Sequence, residues 1–107
     1  MRSVVVDSSP LIALSRINRL ALLPQLFDEI LIPQAVVGEL FPRGKKRKGV
    51  AALRAATWLI TQDLSDPTFL SAISPDLGPG ERAAIALARE RSLPLLIDDA
   101  DGRREAE

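Results

Sequence analysis

Apolar residues in this chain come in short blocks, and most blocks are cut off by an acid, a proline or a glycine. Val4-Val5-Val6 is β-branched, continuous and short, which predicts a strand buried on both faces. Asp7-Ser8-Ser9-Pro10 comes next, with helix-capping residues and a proline suited to a first turn. Leu11, Ile12, Leu14 and Ile17 then recur at helical spacing. A second short helix is predicted from Leu20 to Leu26, disturbed by Pro24. Ile30-Leu31-Ile32 predicts the next buried strand, stopped by Pro33, which opens a helix through Val36, Val37 and Leu40. Phe41-Pro42-Arg43-Gly44 ends that helix. Val50 to Ala56 is a further helix, Trp58-Leu59-Ile60 a third strand, and Asp66-Pro67 caps a short helix through Phe69, Leu70 and Ile73. Gly78-Pro79-Gly80 is a turn signal. Glu81 to Arg91 is Ala-rich with Ala84, Ile85, Leu87 and Ala88 on one face, the strongest helix pattern in the chain. Leu93 to Ile97 is the last predicted strand, ended by Asp98-Asp99, and residues 100 to 107 read as the start of another helix.

Strands alternating with helices imply an α/β fold with a parallel sheet and right-handed crossovers. Ligand sites in such sheets lie at the carboxyl ends of strands. Asp7 and the pair Asp98-Asp99 fall at two such ends. Glu39 closes a helix and Glu81 opens one, so both can project toward the same crevice.

Composition narrows the chemistry. The chain of 107 residues has no His, no Cys and no Tyr, which removes most general bases, zinc ligands and covalent nucleophiles. Carboxylates remain, and clustered hard oxygens hold Mg²⁺ or Mn²⁺. With 47 % apolar and 26 % charged residues, one small globular domain over residues 1–107 is expected rather than a disordered chain. The absence of Cys fits a reducing, cytoplasmic setting. The apolar blocks are far too short for a membrane span or a signal peptide. A formal net charge of zero gives a nucleic-acid partner no general support, so that case rests on local patches. The charge run is Arg43-Gly44-Lys45-Lys46-Arg47-Lys48-Gly49. Its cations would attract RNA phosphates, or would simply be a solvated loop.

The phrase Val-Val-Asp-Ser-Ser-Pro-Leu-Ile-Ala-Leu resembles the opening of a PIN domain, and the order of the later acids is similar too. Glu39 lies late in the helix after the second strand, Glu81 opens a helix reading Glu-Arg-Ala-Ala-Ile-Ala-Leu-Ala, and Leu95-Leu96-Ile97 leads into Asp98-Asp99. The Leu-Gly-Pro-Gly-Glu turn is similar to the usual approach to the third acid in the bacterial and archaeal group near VapC-like toxins. The resemblance spans residues 3 to 106. It implies a three-layer fold and a Mg²⁺- or Mn²⁺-dependent ribonuclease, often a toxin neutralised by an antitoxin peptide. It places the catalytic, metal-binding acids at Asp7, Glu39, Glu81 and Asp99, with Asp101 as an outer fifth acid and Ser8 or Ser9 holding the first by a hydrogen bond. PIN domains normally continue past the fourth acid with a helix, another strand and often a further helix. The resemblance therefore implies a domain lacking its last strand and helix, with Leu95-Leu96-Ile97 at an open edge; the expectation is self-association into homo-oligomers or marginal stability alone, and RNA cleavage that is weak or absent even if metal binds.

Each acid also has a plainer reading. Asp7 serves as a helix N-cap, Glu39 as a solvated helix residue, and Glu81 as a charge complementing a helix N-terminus. Asp98 and Asp101 suit a capped turn; the stretch fails the EF-hand pattern. Asp28, Glu29, Asp63, Asp66, Asp76, Glu90 and Glu105 are assigned to surface or capping work, and Trp58 to the core or a subunit contact. The rival functional readings are a non-catalytic PIN-like interaction module and a phosphoacceptor receiver domain. The latter needs an Asp ending its middle strand and a late Lys, but Trp58-Leu59-Ile60-Thr61-Gln62 has no Asp and no Lys follows Lys48.

Overall fold

The structure, a computed structural model, describes residues 1–42 and 48–97. Its elements are β1 (Ser3–Val6), α1 (Ser8–Arg16), α2 (Leu22–Leu26), β2 (Glu29–Ile32), α3 (Gln34–Leu40), α4 (Val50–Ala55), β3 (Leu59–Thr61), α5 (Thr68–Ser71), α6 (Pro79–Arg91) and β4 (Leu95–Leu96). The four strands form one parallel sheet in the order β3-β2-β1-β4. Helices flank this sheet, as the alternating pattern requires.

β1 is central because its side chains are apolar on both faces; Val4, Val5 and Val6 are all fully buried. β2 lies beside it in the register Ser3 with Glu29, Val4 with Ile30 and Val5 with Leu31. β4 flanks the other side, Val5 with Leu95 and Val6 with Leu96. The main core joins these valines to Leu11 of α1, Val36 and Leu40 of α3, Leu53 of α4 and Leu87 of α6. A smaller cluster of Ile73, Ile85 and Ala86 sits under α5. Arg82 holds α5 to α6, donating to the carbonyls of Leu70 (3.1 Å) and Ile73 (3.4 Å). The Arg54 guanidinium lies 4.8 Å from the centre of the Phe41 ring, joining α4 to the end of α3.

Several boundaries differ from the sequence reading. β4 is two residues long instead of five. Ile17, expected on the apolar face of α1, is its C-cap and is 64 % exposed. α6 begins at Pro79 instead of Glu81, with Gly78 as N-cap, since the fixed φ of proline suits the first helical position. Gly49 begins α4 with φ at 93°, a left-handed conformation that favours glycine. A Cβ there would also crowd Ser15, 2.7 Å from its Cβ and 2.9 Å from its carbonyl carbon. The helix expected from residue 100 lies outside the described residues.

Candidate active site

The strand order places a reversal between β1 and β4: from β1 the chain proceeds to β2 and β3 on one side, then crosses to β4 on the other. The carboxyl ends of strands at such a reversal open onto a crevice. Asp7 directly follows β1 there. Its backbone N–H donates to the carbonyl of Leu96 at the end of β4 (2.9 Å), fixing the residue at this junction. Asp7 is 4 % exposed. It occupies the N-cap position of α1, yet its side chain makes no capping hydrogen bond. The plain capping role is thus not what holds a carboxylate in this buried place.

Glu39 comes to the same place from α3. That helix packs against α1 and α6, because Val36 and Leu40 are buried on its inner side. Ser8, the first residue of α1, donates its hydroxyl to Glu39 Oε1 at 3.3 Å. Glu39 is an exposed residue overall, but partial burial of its carboxyl group pushes its pKa above the ordinary glutamate value. The negative charge of Asp7 adds to that rise, and the hydrogen bond from Ser8 opposes it. Burial and like-charge repulsion of this kind favour a cation that neutralises both groups.

Gly80, in the first turn of α6, is buried against the same carboxylate. A Cβ built on Gly80 would overlap Glu39 Oε1 and lie 2.6 Å from its Cδ. In sequence, Gly78-Pro79-Gly80 reads only as a turn signal, and this role is hidden. A glycine just after the proline that opens a helix, where alanine has the higher propensity, is the available clue.

Among the described residues, no three acids come together closely enough to hold a metal ion. The structure pairs Asp7 with Glu39. Glu81 stands next to Gly80 in the first turn of α6, half-buried, where its charge complements the helix N-terminus. Ser9 is exposed. Asp98, Asp99 and Asp101 lie outside the described residues, as do Arg43, Lys45, Lys46 and Arg47. Lys48 is exposed and lines a surface groove with Ser15, Arg16 and Asn18. Acids assigned to surface or capping work hold backbone: Asp28 accepts from the N–H of Arg2, Asp63 from Gln34 at the start of α3, Asp66 from Thr68, and Glu90 from Ser65 and Asp66. Trp58 is half-buried against the main core.

The family model DUF3368, described as a PIN domain, matches residues 3–107. This chain is a PIN domain. No curated protein and no solved structure gave a significant match. PIN domains are nuclease-type folds that generally use divalent metals, commonly bind RNA and are often paired with antitoxins. The donor chemistry of this PIN domain fits such a cation. Asp7 and Glu39 are hard oxygen donors whose charges oppose each other, and no imidazole or thiolate in the chain would select a softer metal. No described helix is long and apolar enough to cross a membrane.

Proposed function

We propose that this PIN domain is a metal-dependent ribonuclease that cleaves single-stranded RNA, the toxin of a pair whose antitoxin is a peptide. The observation that carries this reading is the Asp7–Glu39 pair at the carboxyl end of the central strand. Asp7 and Glu39 would hold Mg²⁺ or Mn²⁺, with Glu81, Asp99 and the outer Asp101 completing the acidic set. A divalent cation bound there supplies charge neutralisation at phosphorus and acidifies water for attack. The chain's own residues do the rest. The backbone of Asp7, tied to Leu96, fixes the first carboxylate on the sheet. Ser8 orients Glu39 through its hydroxyl. Residues 43 to 48 supply cations that attract the RNA backbone.

The test is cleavage of single-stranded RNA by the purified chain with Mn²⁺, alongside EDTA and an Asp7→Asn control. Cleavage should require both the metal and Asp7. Activity that survives EDTA, or that is unchanged in Asp7→Asn, would overturn the metal reading. Metal binding without cleavage would favour a PIN-type module that binds a partner chain without cutting RNA.

A further inference from the structure

We infer that Gly80 is a positioning residue of the acidic site: the missing side chain at this position is the seat that holds the Glu39 carboxylate beside Asp7. This inference rests on the metal-binding reading for its functional consequence, but the geometry that motivates it does not. Glu39 and Gly80 belong to different helices, α3 and α6, which pack together. Gly80 is buried, and the volume that any Cβ would fill is occupied by the end of the Glu39 side chain. The backbone does not ask for glycine here. Gly80 lies inside a regular helical turn with no positive φ, where alanine is the better helix former. Gly78 nearby has open space around it, so crowding in this turn is confined to the position facing Glu39. The atoms in the way are the far end of a flexible side chain, not backbone. Adding a methyl group would therefore leave the fold in place and turn the carboxylate aside, away from Asp7 and from the hydroxyl of Ser8. Gly80 touches no reacting atom; it acts through Glu39.

The experiment uses the full chain and three variants: Gly80→Ala, Glu39→Ala and the double variant. Mn²⁺ affinity is measured by calorimetry. Supporting residues around a metal site typically change affinity about 10- to 100-fold, and Gly80→Ala should weaken Mn²⁺ binding by that much. Its melting temperature should be unchanged or higher. In the Glu39→Ala background, Gly80→Ala should have no further effect on affinity, because the side chain it displaces is gone. Unchanged affinity in the single variant, or an equal loss in both backgrounds, would overturn the assignment. A second readout needs no metal. The ¹³C carboxyl resonance of Glu39 in the metal-free protein should move in Gly80→Ala, and an unmoved resonance would also overturn the assignment. If the wild-type chain binds no Mn²⁺ while this resonance does move, the metal reading fails and the seat for Glu39 stands.

Discussion

Asp7 stands where a helix N-cap ordinarily uses its carboxylate to hold a backbone N–H, and it makes no capping bond. We expect Asp7→Asn to abolish Mn²⁺-dependent cleavage while the metal-free protein melts at the same temperature or higher, since a like charge facing Glu39 is gone. A large drop in melting temperature would return Asp7 to a structural role. Glu39 makes a second expectation about pH. Its folded-state pKa is raised above the ordinary value of 4.5, first by burial and then by Asp7. The folded state therefore holds this proton more tightly than the unfolded chain. The associated stability is fully present below about pH 4.5 and is lost as pH rises through the raised value. Glu39→Gln cannot ionise, so it should match the metal-free wild type in acid and exceed it at neutral pH. Thermal melts across that range check the sign. The opposite case is Asp66, whose hydrogen bonds from Thr68 hold its pKa down; its contribution is present near neutrality and lost as pH falls.

At the scale of elements, two glycines make opposite demands. Gly80 is dispensable for the fold by its backbone, whereas Gly49 is not: it combines φ of 93° with close contact to Ser15. We expect Gly49→Ala to cost about 1–3 kcal/mol, the usual range for a side chain forced into a left-handed conformation, read from urea denaturation. A loss well under that range would show that the backbone before α4 can leave the left-handed conformation at little cost. Such contrasts mark what a sequence can and cannot report. The strand and acid at Val4 to Asp7 are legible because burial pattern and strand end are local properties. The pairing of Glu39 with Gly80 is not, because a glycine after Pro79 hints at a close approach but nothing near either residue in the chain says which distant helix it meets. Glu39 on its own looks like any solvated residue late in a helix. The length of β4 escapes the sequence for a related reason. Leu93 to Ile97 is an apolar run fit for a longer strand, but a ladder extends only where a partner runs alongside. β1 ends at Val6, opposite Leu96, where the chain turns into α1, and at the other end Pro94 has no N–H to continue the ladder, so pairing is confined to Leu95 and Leu96. Ile17 misleads because helical spacing continues one residue beyond the helix itself.

The whole molecule carries no net charge, so long-range attraction to RNA must come from where its charges lie. If residues 45 to 48 contact phosphates, replacing Lys45, Lys46, Arg47 and Lys48 by Ser should weaken binding to single-stranded RNA. The slope of log affinity against log salt should then fall by about 3, at roughly 0.7 per contact. An unchanged slope would make this run a solvated loop. The hydrogen bond from the N–H of Asp7 to the carbonyl of Leu96 has a further consequence, one of timing. It joins the first strand to the last described one, so it encloses every element between them. Contacts of such long reach close late, because the loop entropy must be overcome before they are rewarded. During synthesis β1 can pair with β2 while β4 is still inside the ribosome, and a nascent chain at that stage holds Asp7 without the anchor that fixes it. In pulse-labelled hydrogen exchange during refolding, the amide of Asp7 should gain protection after those of Ile30 and Leu31. A cell making this protein would then meet Asp7 in its anchored place only once β4 had docked beside β1, whatever the order in which the other elements formed.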